Sequence, residues 1–388
     1  MIITIIQALL LLFTIWMTVS VIYILIYSLS GHFYKNTVVI KREYLPSIAV
    51  FIPAYKEDEV IIDVVRESTL QHYNGKYDVY VIADTLKDTT IKKLKKFPIH
   101  LIEVNFKKST KTKALNVALE KINIKYDLAI ILDADNVMDK NALTYFASEY
   151  LNGHHAIQGR RCAKNKETQF ALLDALSEEV NNHIYCKGPS AINLSSRLVG
   201  SGMAFDFNLF KRLMKTINAV GGFDKELELK IIKEGIKIKY VDSAVIFDEK
   251  VSKSEVFENQ RRRWISAQYH YMIKAMPIAF LELLKGNFDY FYKALQLTLP
   301  PRLLLPGILF FFCCIFYLFN LKNLSTTWLI LFILNVIAYS ISIPLKFWNK
   351  ELLSGVHALP SAFLATLKAL ISIGGANKKF IHTPHTKK

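Results

Sequence analysis

An apolar run, Ala129-Ile130-Ile131-Leu132, ends in Asp133-Ala134-Asp135, and a second, Val79 to Ala83, ends in Asp84. Carboxylates at the ends of buried strands are hard oxygen ligands. Mg²⁺ or Mn²⁺ takes such ligands together with water and phosphate oxygens. Downstream, Gln260-Arg261-Arg262-Arg263-Trp264 sets guanidinium groups beside an indole. A guanidinium grips phosphate oxygens in pairs, which an ammonium cannot do. Metal carboxylates with arginine suit a ligand that carries a diphosphate. Asp-x-Asp alone is a short signal, and an acidic turn capping the next helix is its competing reading. A third acidic stretch, Asp224-Lys225-Glu226-Leu227-Glu228, adds further carboxylates. The same stretch opens a segment, Glu226 to Ile236, with the periodicity and alternating charge of an ordinary surface helix.

Something must position these groups. Ile48 to Ile52, Val79 to Ala83, His100 to Val104 and Leu128 to Leu132 are short apolar runs that read as buried strands. Between them, Glu57 to Gln71, the basic stretch Ile91 to Phe97, and Lys111 to Ile122 carry helical or amphipathic spacing. Alternation of this kind predicts an α/β fold: a Rossmann-like, mostly parallel sheet covered on both faces. Ligands of such sheets sit at the carboxyl ends of the strands. Ala54, Tyr55, Asp84, Asp133 and Asp135 all fall there.

Hydrophobicity is concentrated outside this region. Of the 388 residues 52% are hydrophobic, yet Met1 to Tyr34 contains no Asp, Glu, Lys or Arg. The same is true of 303–321 and 323–345, which only Lys322 separates. About 20 apolar residues suffice to cross a bilayer, so three spans are expected. Basic residues cluster after the first and around the others, at Lys35, Lys41, Arg42, Arg302, Lys346 and Lys350. By the positive-inside rule this puts the large domain in the cytoplasm. The stretch Ser354 to Gly374 reads as an interfacial helix. A net charge of +16 raises nucleic acid as a partner. No zinc, helix-turn-helix or single-strand-binding signature accompanies it, and a domain held against anionic lipid explains the surplus. Cys162, Cys186, Cys313 and Cys314 form no disulfide or zinc pattern.

Taken in order, the motifs resemble those of the inverting, membrane-embedded glycosyltransferases of family 2, the group that includes cellulose, hyaluronan and chitin synthases. The resemblance runs from about Ile48 to the C-terminus. It rests on Phe51-Ile52-Pro53-Ala54-Tyr55-Lys56-Glu57, Val81-Ile82-Ala83-Asp84, Lys111 with Ala114-Leu115-Asn116, Asp133-Ala134-Asp135, Gln158-Gly159, Val199-Gly200-Ser201-Gly202-Met203 and Gln260 to Trp264. It implies a GT-A domain at 45–270, with a nucleotide sugar, expected to be UDP-linked, held by Ala54, Tyr55, Glu57, Asp84, Lys111, Asp133 and Arg263. Asp133 and Asp135 would hold Mg²⁺ or Mn²⁺. Gly200, Ser201, Gly202, Gln260 and Trp264 would face the acceptor, with the Trp264 indole as a stacking face. The chain departs from the family at the catalytic base, where Thr-Glu-Asp is usual. Alignment on Leu227-Glu228-Leu229 puts Glu226 there, with Asp224 and Glu228 as rivals.

The expected layout is a transmembrane helix at 1–31, interfacial helices at 271–302, further spans at 303–321 and 323–345, and an interfacial amphipathic helix at 354–375. A tail at 376–388 contains Thr383-Pro384, which resembles a gating segment of such enzymes. The expected activity is inverting sugar transfer to a growing polysaccharide at the cytoplasmic face of the plasma membrane, with membrane lipids and an oligomer or export partner around it. Transfer of one sugar to a lipid-linked acceptor, or an inactive scaffold of the same fold, are the alternatives.

Overall fold

In a computed structural model, residues 1–36, 43–251 and 254–374 are described. Eight strands form one sheet: β1 (Ile48–Tyr55), β2 (Tyr77–Asp84), β3 (His100–Val104), β4 (Leu128–Ile131), β5 (Val137–Met138), β6 (Ala156–Ala163), β7 (Met203–Asp206) and β8 (Ile238–Asp248), in the order β3-β2-β1-β4-β7-β6-β8-β5. β1 lies at the centre of a parallel block, with Ile48 opposite Tyr77 on β2 and Leu128 on β4. Successive strand residues point to opposite faces, and β1 shows why both faces are covered. Ala49 and Phe51 join one core with the helices Lys111–Lys121 and Phe207–Met214. Ile48, Val50 and Ile52 join another beneath Ile61–Ser68 and Ala142–Leu151.

The sheet is mixed but mostly parallel, as expected: β1, β2, β3, β4, β6 and β8 run one way, and β7 and β5 run against them. β7 runs antiparallel to both neighbours, β4 and β6, and β5 runs antiparallel to β8. Between β6 and β7 the chain passes through helix Gln169–Asn181 and a loop, then turns through Gly200 to Gly202 and enters the sheet from the ligand end. The helical connection from β6 ends at the carboxyl edge of the sheet, so β7 starts there and runs antiparallel to its neighbours.

The apolar helices gather on one side. Ile2–Ser30, about 44 Å long at 1.5 Å per residue, packs Met17, Val21 and Ile24 against Leu309 of Leu305–Leu318 and Trp328 of Lys322–Ser342. Ile5, Leu9, Leu12 and Ile15 stay exposed. Among the described residues two helical stretches, Ile2–Phe33 and Lys322–Ser342, are long and apolar enough to cross a membrane. The expected span at 303–321 holds a shorter apolar helix. Its helix is only Leu305–Leu318, 14 residues, or about 21 Å against a hydrocarbon core of about 30 Å. Leu304 N–H bonds the Pro301 carbonyl in a turn at its start, and Asn320 reverses the chain at φ 57° after its end.

The expected interfacial segment 271–302 lies partly inside one long helix, Ser254–Leu284, which carries the arginine cluster and continues through Pro277 to meet Phe288–Thr298. Gln268 ties the two by donating to the carbonyls of Leu297 (3.0 Å) and Leu299 (2.9 Å). The expected helix at 354–375 is two, Lys350–His357 and Leu359–Ile371, because Pro360 begins a new helix rather than continuing one. The second packs Ala362 and Ala365 beside Phe257. The Thr383-Pro384 tail lies outside the described residues.

Candidate active site

A cleft with about 290 Å³ open to water lies beyond the carboxyl ends of β1, β2 and β4. It gathers Ala54 and Tyr55 at the end of β1 and Glu57 just after it, Asp84 at the end of β2, and Asp133 and Asp135 after β4. The chain leaves β1 and β2 through two left-handed residues, Lys56 (φ 57°) and Thr85 (φ 58°). Side chains larger than glycine rarely adopt that conformation outside functional turns. Lys56 N–H bonds the Asp84 carbonyl at 3.2 Å, locking the two strand ends together. The Asp84 side chain is buried and accepts from the Thr85 hydroxyl at 2.9 Å.

The Asp133–Asp135 turn is held from behind. Asp133 N–H donates to Ser201 Oγ (2.9 Å), whose hydroxyl donates to Asn136 Oδ1 (2.7 Å), and Asn136 Nδ2 donates to Asp248 (2.8 Å). Asp248 also pairs with Arg161 and with Lys250 (2.7 Å), and Lys250 reaches Glu178 (3.1 Å). Burial opposes ionisation of Asp248, but Arg161 and Lys250 outweigh it and hold the carboxyl well below the usual range. The Gly200–Gly202 turn is fixed by buried Gln158, whose amide donates to Ser201 O and Gly202 O and whose Oε1 accepts from Val199 N–H. Gly202 sits at φ 62°, and a Cβ there would lie 2.5 Å from Ile246. Gly200 and the buried Ser201 and Gly202 thus form a wall behind the carboxylates.

Positive groups close the other side. Lys111, at the first turn of its helix, pairs with Asp133 and donates to the Gly200 carbonyl at 2.8 Å. Gln260, Arg263 and Trp264 enter from the long helix. Burial pulls the Arg263 guanidinium below its ordinary value, while Asp133 and Asp224 favour its charge. Arg261 points elsewhere, paired with Asp174 and stacked between Phe257 (4.3 Å) and Trp264 (4.5 Å). That contact covers part of the indole expected to be a stacking face.

The acidic helix Phe223–Lys233 differs from expectation. Glu226 does not line the cleft; it accepts from Tyr271 OH (3.1 Å) and pairs with Lys230 (3.1 Å). Asp224 does line it. Two residues on a helix are about 200° apart, so both cannot face one way. Glu228 turns inward, accepting from Leu198 N–H at 2.6 Å.

Arg161, Glu178, Arg197, Lys225 and Asp248 also line the cleft and were not singled out from sequence. A signal did exist, since Asp248-Glu249-Lys250 follows an apolar stretch just as Asp84 and Asp133 do. Among the described residues no group of three or more His, Cys, Asp or Glu side chains is arranged to hold a metal. Asp133 and Asp135 nonetheless suit Mg²⁺ or Mn²⁺, which are often held by one or two carboxylates with substrate phosphates completing the shell.

A family model described as glycosyltransferase like family 2 matches residues 46–267, more than half of the chain. A probable glycosyltransferase, YdaM, of Bacillus subtilis (strain 168) is 22% identical over 263 residues, covering 64% of this chain and 61% of its own. An N-acetylglucosaminyltransferase of Rhizobium meliloti (strain 1021) is 23% identical over 254 residues, covering 60% of this chain and 58% of its own. The chain thus spans about three fifths of the length of these curated relatives. Among solved structures, the mannosyltransferase PcManGT from Pyrobaculum calidifontis, in complex with GDP-Man and Mn²⁺, superposes with a TM-score of 0.57 at 17% identity, covering 94% of this chain and 97% of that one. The fold is GT-A-like: a mixed Rossmann-type sheet with helices.

Proposed function

The chain belongs to glycosyltransferase-like family 2, and on that premise we propose that the cleft transfers a sugar, with inversion, from a nucleotide sugar to a membrane-associated acceptor. The observation that carries this is the convergence of Asp84, Lys111, Asp133, Asp135, Asp224 and Arg263 on one cleft at the strand ends. A UDP-sugar is the proposed donor, its base beside Asp84 and its diphosphate beside Lys111 and Arg263. The mannosyltransferase of similar fold holds GDP-Man and Mn²⁺, which supports a nucleotide sugar and a divalent cation as ligands. Asp133 and Asp135 would hold Mg²⁺ or Mn²⁺, which when bound supplies charge neutralisation at the leaving diphosphate.

Asp224 is the proposed base. It takes the proton of the acceptor hydroxyl as that oxygen bonds the anomeric carbon. The bond from that carbon to the diphosphate breaks on the opposite face, and the nucleoside diphosphate leaves. Lys111 and Arg263 stabilise the charge that develops on it. Glu226, bonded to Tyr271 and Lys230, supports the helix that carries Asp224. The test is Asp224→Asn against Glu226→Gln in detergent-purified protein supplied with a panel of nucleotide sugars and Mg²⁺ or Mn²⁺. Asp224→Asn should lower the rate of nucleoside diphosphate release by roughly 10²–10⁴, and Glu226→Gln by less than tenfold. The reverse order would return the base to Glu226.

Two acceptors fit this reading. A growing polysaccharide follows from the resemblance to the synthases. A lipid-linked acceptor is favoured by the covering of Trp264 by Arg261, which leaves less indole for a sliding glycan. It is also favoured by the exposed apolar surface of the helix Ile2–Ser30. We propose the cytoplasmic face of the plasma membrane as the site of the reaction.

A further inference from the structure

A second cavity lies beyond Trp264. It offers about 130 Å³ to water and shares Asn181, Arg197, Lys225 and Trp264 with the first cleft. Its far wall is Pro300 to Leu303, where the chain enters the apolar hairpin, with Thr366 of the Leu359–Ile371 helix. A ligand there would reach the first cleft at one end and the apolar helices at the other.

The lining is unusually basic. Among the described residues Arg197, Lys225, Arg261 and Arg302 face it, against one carboxylate, Glu228. Glu228 is already engaged by Leu198 N–H (2.6 Å) and Lys293 (3.8 Å), and Arg261 by Asp174. Lys225 has Asp224 at 3.9 Å. Among the described residues no carboxylate forms an ion pair with the other two, though Glu178 and Arg261 act on Arg302 from farther away. Arg302 donates to Asn181 Oδ1 (2.8 Å), the Ser177 carbonyl (2.9 Å) and the Ser177 hydroxyl, and Arg197 lies over the Tyr185 ring at 5.7 Å. Burial pulls Arg302 and Lys225 below their ordinary values. Burial works against the Arg302 guanidinium, which has no ion-paired carboxylate to offset it, and an anionic ligand relieves that cost; Arg197 adds a second, half-buried guanidinium to the same wall.

We propose that this cavity binds the phosphoryl group of a phosphorylated amphiphile, the acceptor of the transfer, through Arg197 and Arg302. The hydrocarbon part lies along the apolar helices, and the end to be glycosylated lies towards Asp224. This rests on the glycosyltransferase reading and names the acceptor's chemical class.

The full chain in neutral detergent is titrated calorimetrically with decyl phosphate, decanol and inorganic phosphate, and separately with UDP and GDP. Decyl phosphate should bind at least tenfold more tightly than decanol. Arg302→Gln and Arg197→Gln should each lose that preference about tenfold, and Arg302→Lys, which keeps the charge without the paired contacts, should lose less than Arg302→Gln. Nucleoside diphosphate affinity within twofold of the parent is required of Arg302→Gln as the check on its fold, and Arg197→Gln supplies the independent variant. Inorganic phosphate binding as tightly as decyl phosphate would assign the same site to a free phosphate and keep the phosphoryl assignment. Equal affinity for phosphate and alcohol, or affinity unmoved by both Arg→Gln variants, would overturn it. Failure of UDP and GDP to bind would instead remove the function on which it rests.

Discussion

Asn136 bridges two otherwise separate groups, the acidic turn and the ionic cluster of Arg161, Asp248, Lys250 and Glu178. Its side chain is fully buried, and both ends of its amide are used. Asn136→Ala leaves the Ser201 hydroxyl and Asp248 each short of a partner, at a cost of about 1–3 kcal/mol. It should lower the denaturation midpoint and weaken the Mg²⁺ or Mn²⁺ dependence of nucleotide binding, read by titration. The cluster also has a pH signature. Asp248 is held below its ordinary value of 3.8, so its contribution to stability is complete above about pH 4 and is lost as pH falls through the folded-state value. Asp248→Asn should flatten the acid limb of the stability profile. Asp84, Asp133, Asp135 and Arg263 were legible as charges at the ends of apolar runs or beside an indole. The choice between Asp224 and Glu226 was not, because motif alignment fixes order along the chain and not the direction a side chain leaves a helix.

At the scale of elements, β1, β2, β3 and β4 were legible because their runs are apolar and short. The other half of the sheet was not. β7 has four residues and β5 two, and β6 carries Arg160 and Arg161 into the layer. Their pairing depends on partners distant in sequence, which local pattern cannot supply. The turn into β7 carries a prediction of its own. Gly202→Ala places a Cβ against Ile246 at a left-handed backbone, a strain of about 1–3 kcal/mol. Thermal unfolding of that variant should begin lower, and Ile246→Val should recover part of the loss.

For the whole molecule, the division between sheet domain and apolar helices was visible in the charge-free stretches. The length of the middle one was not, since Pro301 and Asn320 shorten the helix that composition alone would extend. The face of Ile2–Ser30 bearing Leu9 and Leu12 is open. If lipid covers it, as proposed, each Lys placed near mid-helix costs roughly 2.5–3.5 kcal/mol of insertion. Leu9→Lys with Leu12→Lys should move the protein from the carbonate-resistant membrane pellet to the supernatant. Retention in the pellet would mean that other segments suffice.

The helix Ser254–Leu284 behaves as a lever. Arg263 is near its head, and Gln268, one and a half turns along, clasps the carbonyls of Leu297 and Leu299 that lead into the hairpin. A tilt imposed at the hairpin is therefore felt at the guanidinium. Reconstitution into lipids of graded acyl length would make turnover rise and fall with bilayer thickness, and Gln268→Ala would uncouple the two.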